Sequence, residues 1–412
     1  MKSRVFMLFF WWGCILSSGL AQVWTWNTIA PAQMGNSAQG VTALAKGNGS
    51  DIWIGTDAGL VLFSDGQLSA LPTFNSTFIR TLLWDSISSS LLVGTDGAGL
   101  YIQSGNTWTQ LFPQAQNGLP ETRIQSVSIH QGNVWVGGAE KGLFKYENGG
   151  WQQFNALTTS GQLPFSSVTS LLSAQNGLWV GTQAHGLYFL FNQGGFTNLT
   201  VDSGLPVAHV QSIFHQDPYV WLGFSGTQGD HHLARYHTQQ KAMQVFGPST
   251  GYPVFRQVYA FQRDSLNHIW IGSHGGDLPL AYFDGQTFTG IPEFSSGFLS
   301  SPVKALLHQG GQKIWVGHFG GLSVNSLLPT SIQPSSADSD LMPFPNPFSK
   351  KLNIPEASSS TSWELIPLSG GHIQRGLGST ISGNSLAPGV YILKWKGKEG
   401  KVQQSFVLRK ND

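Results

Sequence analysis

The sequence predicts an all-β chain: a seven-bladed β-propeller whose N-terminal strand closes the last blade, followed by a small C-terminal β-sandwich. Three observations carry this. Seven short β-type runs end in a glycine anchor, at Gly55, Gly94, Gly137, Gly181, Gly223, Gly272 and Gly317, spaced 39 to 49 residues apart. A period of about 40–50 residues, each unit holding several short strands, is the signature of a propeller blade. Every unit also repeats the same order of four runs, except that the seventh lacks its fourth while a matching run stands alone near the start of the chain.

An alternating apolar run comes first in each unit, such as VTALAKG from Val41 or VQSIFHQ from Val210. The anchor run follows (DIWIGT, LLVGT, VWVGG, LWVGT, VWLGF, IWIGS, IWVGH), then a Gly-Leu-aromatic run such as GLFKY from Gly142. The fourth run starts near an aromatic, as in TWTQLF from Thr107 and GWQQF from Gly150. Period-two patterning bounded by Gly, Asn and Ser reads as four antiparallel strands with tight turns. One such sheet cannot bury both faces, so the units stack radially. Beyond Asn325 the seventh unit enters a Pro/Ser stretch with no fourth strand. Residues 23–29, VWTWNTI, match TWTQLF and supply it, which removes the open edges of the array and makes seven the self-consistent count.

Six tryptophans (Trp53, Trp135, Trp179, Trp221, Trp270 and Trp315) fall two residues before an anchor glycine. Equivalent positions in six units argue for packing between blades. Unit two has Leu92 there, and Trp84 in its inner run is expected to return the lost volume.

Residues 1–21 read as a secretory signal peptide: Lys2 and Arg4 precede an apolar stretch, and Gly19-Leu20-Ala21 offers small residues for cleavage before Gln22. Cys14, the single cysteine, lies inside that stretch, so the mature chain needs no disulfide or thiol chemistry. No later apolar run reaches the length of a membrane span. The expected domains are the propeller at 22–328, a Pro/Ser linker at 329–343 and the C-terminal unit at 344–412. Residues 22–343 carry 11 Lys+Arg against 17 Asp+Glu, and residues 344–412 carry 9 against 4. Neither half has the basic stripe that nucleic-acid binding requires; low charge with many aromatic, Asn, Gln, Ser and Gly residues suits neutral polar ligands.

Asn117-Gly118-Leu119-Pro120, then IQSV from Ile124, VWVG from Val134 and GLF from Gly142 form a recurring pattern, repeated by Gly204-Leu205-Pro206 with VQSI and VWLG. Over residues 22–328 this resembles the two-component regulator propeller repeat of periplasmic sensor regions. The resemblance implies a sensor or ligand-binding platform, often linked to glycan uptake. With no span, kinase or DNA-binding region in the sequence, binding or scaffolding is what carries over. Residues 344–412 contain Pro345, Asn346, Pro347 and Phe348, a Gly370-Gly371 turn, and a strand through Gly389, Val390 and Tyr391. In that order they resemble the type A C-terminal sorting domain of the type IX secretion system. That resemblance implies export by the type IX machinery through the periplasm and a secreted or outer-membrane surface location.

In a propeller the loops between second and third strands open on the same face as those between blades. The former place His185, His231, His232, His274 and His318 on that face, with Asp230, Asp277 and Glu140, and the longest of them runs through residues 224–232 from Phe224. The latter add Phe74, Phe78, Phe165, Tyr252, Phe255, Phe294 and Phe298. Loops on a rigid scaffold commonly carry function, and aromatic platforms beside polar side chains suit sugar rings. The expected function is a secreted or surface propeller that binds a glycan or protein ligand, with no catalytic residue and no cofactor assigned. Two alternatives stay open. One is a hydrolase or lyase using the histidine face, where imidazole and carboxylate would suit a divalent metal; the other is a structural or adhesion protein. No HExxH, phosphate loop or nucleophile elbow occurs.

Overall fold

A computed structural model describes residues 24–112, 118–226, 232–247, 250–251, 256–275, 278–291, 302–311, 313–327, 350–354, 357–367, 374–382, 384, 386, 389–396 and 402–409. Residues 24–327 hold seven four-stranded antiparallel sheets. In the first, Val41–Lys46, Ile52–Thr56, Gly59–Ser64 and Gln67–Ala70 pair in sequence order. The next five repeat this from inner strands Ile79–Asp85, Ile124–His130, Val168–Ala174, Val210–Gln216 and Gln257–Arg263. The seventh joins Val303–His308, Ile314–His318 and Gly321–Leu327 to Trp24–Ile29, the first strand of the chain, with Trp24 opposite Leu327 and Ile29 opposite Leu322. Inner strands of successive sheets touch in cyclic order, the first lying against the seventh.

The anchor glycines mark where neighbouring sheets approach most closely. A Cβ on Gly137 would lie 2.6 Å from Val168 Cγ1, on Gly223 2.7 Å from Val258 Cγ1, and on Gly317 2.5 Å from Val41 Cγ1. Each anchor thus touches the first bulky residue of the following inner strand, and Gly317 carries the contact round to the first sheet. Size alone demands glycine here. One residue on, Thr56, Thr95 and Thr182 donate their hydroxyls to the carbonyls of Gly59, Gly99 and Gly186 at 2.7, 2.7 and 2.8 Å, pinning the turn between second and third strands. The third sheet has Gly138 instead, and the buried Glu121 carboxylate takes over: it accepts the N–H groups of Thr122 and Arg123 from its own loop, and of Glu140 and Lys141 from the turn.

The core lies between sheets. All six anchor-run tryptophans are 8% exposed or less. Trp221 stacks on Phe246 at 5.6 Å and meets Phe283 of the next sheet at 5.5 Å; truncating such a ring costs about 3–5 kcal/mol. Trp84 departs from expectation. It packs back onto the first sheet, in the cluster of Trp53, Phe74 and Leu91, because inner-strand alternation points it away from the side on which Leu92 lies. The volume beside Leu92 is instead filled from the third sheet by Val136, Phe144 and Trp151.

In the C-terminal unit a four-stranded sheet runs in the order Gln374–Leu377, Ser362–Pro367, Gly389–Lys396, Val402–Arg409. Lys351–Asn353 and Thr380–Ser382 form a separate pair. Leu352 and Ile381 of the pair share a core with Leu365, Tyr391, Leu393 and Trp395 of the sheet. The stretch 1–21 expected as a signal peptide, the stretch 329–343 expected as a linker, and Pro345, Asn346, Pro347 and Phe348 lie outside the described residues. No helix among the described residues is long and apolar enough to cross a membrane.

Candidate ligand-binding site

All seven inner strands carry a β-bulge at the same place, between Val41/Ala43, Ile79/Thr81, Ile124/Ser126, Val168/Ser170, Val210/Ser212, Val258/Ala260 and Val303/Ala305. A bulge leaves one residue outside the ladder and re-aims its side chain. The extra residues are Thr42, Arg80, Gln125, Thr169, Gln211, Tyr259 and Lys304, and all seven line an axial cavity of about 840 Å³. Phe78, Arg123, His209, Ala139 and Gln183 join them where the strands begin, so the cavity opens on the face of the inter-sheet and second–third loops. Deeper in, Leu44, Leu82, Leu171, Ile213, Phe261 and Leu306 make an apolar floor. A concave site with an apolar base and a few convergent polar groups is the form ligand pockets take.

Three cations stand at this mouth. Arg80 binds Asp96 at 2.8 Å, and Arg123 binds Asp96 at 2.9 Å and Glu140 at 3.0 Å. The hydrogen bond from Arg80, seconded by Arg123, holds the Asp96 carboxyl below the usual carboxylate range against the opposing effect of burial. Lys304 differs: it is half-buried and has no hydrogen bond or ion pair among the described residues. Burial and then the charge of Arg80 push its ammonium down, with Asp57 opposing. Burial also pushes the His209 imidazole down, with the Gln211 side chain opposing, and its Nε2 is shielded from solvent with no hydrogen-bond partner among the described residues.

The sequence-predicted residues separate into groups. His185 and His274 are exposed on the loop face. His232, Phe224 and Phe165 are buried at 2%, 0% and 0% exposure, and the two phenylalanines belong to the cores between sheets. Tyr391 is buried in the C-terminal core, beside the backbone of Gly389 and Val390 in the same strand. Asp230, His231, Tyr252, Phe255 and Asp277 lie outside the described residues. Among the described residues no three of His, Cys, Asp and Glu gather so as to hold a metal ion.

His318 stands where three of the other sheets have threonine, and it is fully buried. Gly320 N–H donates to its Nδ1 at 3.1 Å, so Nε2 carries the proton and donates to Ser323 Oγ at 2.7 Å. Ser323 in turn lies 2.7 Å from Thr28 Oγ1 on the N-terminal strand. Burial pushes this imidazole down to about 4, against roughly 6.5 in an unfolded chain. The native state therefore resists a proton that the unfolded chain accepts. Its contribution is fully present above about pH 6.5 and is lost as pH falls toward 4, by about 3 kcal/mol in all. Chemical denaturation from pH 7 to 4 should reveal that loss, and His318→Thr should flatten it. An unchanged pH slope in the variant would refute the assignment.

A closed ring of four-stranded antiparallel sheets around an axial channel is a β-propeller, and solved structures share it. The extracellular domain assigned to the hybrid two component system BT3049 of B. thetaiotaomicron matches with TM-score 0.64 and 16% identity, over 93% of this chain and 53% of that one. PorZ, described as a surface component of the type-IX secretion system of Porphyromonas gingivalis, matches with TM-score 0.54 and 15% identity over 91% and 59%. Streptogramin B lyase matches with TM-score 0.56 and 14% identity over 74% and 98%. The chain thus spans little more than half the length of the BT3049 extracellular domain and of the solved PorZ chain, and at these identities the likeness is one of fold. No family model matches the sequence, and no curated protein matches it.

Proposed function

We propose that this chain is a secreted or cell-surface seven-bladed propeller that binds a glycan or protein ligand at its axial mouth. The C-terminal β-sandwich would serve as a type IX sorting domain and engage the secretion machinery. The observation that carries the binding reading is the seven-fold bulge, which devotes one side chain per sheet to a single cavity. Bulges cost ladder hydrogen bonds and are commonly kept where they aim side chains at a site. The extracellular setting of the BT3049 domain and the type IX setting of PorZ support the location.

A glycan and peptidoglycan-fragment array tests the binding. The double variant Gln125→Ala/Gln211→Ala should weaken the strongest hit about tenfold or more, since each lost hydrogen bond is worth about 1 kcal/mol, while the loss of the 3.0 Å bond from Gln125 to Ser167 lowers the thermal midpoint by only about 2–4 °C. Unaltered affinity would place the ligand elsewhere. For export, a chain lacking residues 344–412 should fold and remain in the periplasm. Its appearance at the cell surface or in the medium would refute the sorting role.

A further inference from the structure

We infer that the axial mouth takes an acidic saccharide, whose anionic group pairs with Lys304 while its ring hydroxyls meet Gln125 and Gln211. This rests on the ligand-binding reading above and adds the chemistry of the ligand.

Of the three cations at the mouth, Arg80 and Arg123 are already satisfied by Asp96 and Glu140. Their charges are matched within the protein, and they leave an incoming anion little to gain. Lys304 is the exception. It lines the cavity, half-buried, with no hydrogen bond or ion pair among the described residues, and the charge of Arg80 outweighs the opposing charge of Asp57 beside it. A cation partly withdrawn from water without a directly bonded counter-ion is costly to hold, and an entering anion relieves that cost.

Size and lining then narrow the class. A cavity of about 840 Å³ exceeds what a lone inorganic anion fills and falls in the range of small-ligand sites. Gln125 gives one N–H to Ser167 Oγ at 3.0 Å and keeps its second N–H and its amide oxygen, Thr42 gives its hydroxyl proton to the Ile79 carbonyl at 2.5 Å and keeps only acceptor lone pairs, and Gln211 adds a further amide, while Tyr259 and Phe261 offer faces for the apolar side of a sugar ring. A lysine is a point charge that does not require the planar geometry of a carboxylate, so a uronic acid and a sulfated sugar share the required chemistry.

Calorimetric titration of the mature chain with hexuronate di- to tetrasaccharides, their methyl esters, neutral counterparts and monosulfated counterparts tests this. The hexuronates or the sulfated sugars should bind at least tenfold more tightly than the esters and neutral sugars, and the stronger of the two identifies the anion. Lys304→Gln should erase that difference, whereas Lys304→Arg should keep it and Arg375→Gln, in the C-terminal unit, should leave it unchanged. Neutral sugars bound as tightly as acidic ones, or a charge preference that survives Lys304→Gln, would overturn the inference while leaving the ligand-binding reading in place. Failure of every saccharide to bind would overturn it together with the glycan form of that reading.

Discussion

Removing residues 22–29 is expected to lower the thermal midpoint by about 10–20 °C, far beyond the effect of an ordinary terminal truncation. The deleted strand makes the whole outer ladder of the seventh sheet, from Trp24–Leu327 to Ile29–Leu322. It also carries Trp26, 5% exposed and set edge-on to Trp270 at 6.3 Å in a cluster with Leu280, Val303 and Val316. Losing that ring costs about 3–5 kcal/mol, before the pairing and the Thr28–Ser323 contact are counted. A loss above about 5 kcal/mol rivals the stability of a whole domain and, at 2–4 °C per kcal/mol for a large domain, gives the stated shift. It also exposes a bare sheet edge that invites association. Differential scanning fluorimetry with and without added peptide 22–29 checks this: the peptide should restore part of the midpoint. A truncated chain melting where the full chain does would show that the strand is dispensable.

Gly223→Ala should destabilise by about 3 kcal/mol. The new Cβ would meet Ser212 Oγ and Val258 Cγ1 and, at 2.7 Å, the Val258 carbonyl oxygen. A side chain can turn aside, but a carbonyl in the next inner strand can move only with its sheet. Gly150→Ala is the matched control, since nothing lies within 4 Å of its added Cβ; it should stay within about 0.5 kcal/mol. Equal denaturation midpoints for the two variants would remove the close-approach account of the anchors.

The repeat was legible because its cause is local and recurrent. Seven glycines at a common spacing and six tryptophans two residues earlier record one contact between neighbouring sheets, made over and over. The N-terminal strand was legible for the complementary reason, as a fourth run missing at one end of the array and present at the other. The channel escaped because alternation gives the wrong answer at a bulge. Read with strict period two, Arg80, Gln125 and Lys304 are solvent-facing partners of buried neighbours, and only the register shift turns them to the axis. Aligning the seven inner strands on their first Val or Ile would have exposed the signal, since the residues that follow it (Thr, Arg, Gln, Thr, Gln, Tyr, Lys) are the polar column. Composition pointed to the loop face but could not tell outward from inward histidines: His318 and His232 are buried while His185 and His274 face solvent. A sequence cannot reveal which imidazole finds a Ser323 beneath it.

The joining of Thr28 to Ser323 spans 295 residues, and this bears on the order in which the molecule assembles. Each of the first six sheets is a run of hairpins between near neighbours, able to form as soon as its own forty-odd residues are available. The seventh cannot form until both ends of the array have met. Closing so long a loop carries an entropic toll that short hairpins escape, and distant contacts form slowly. Amide protection measured by pulse labelling during refolding should therefore appear last in Trp24–Ile29 and Gly321–Leu327. Protection of these strands together with the first sheet would exclude that order. Until they pair, the chain is an open spiral with its axial residues already ranked but not yet encircled, and the binding cavity comes into being only with the final clasp.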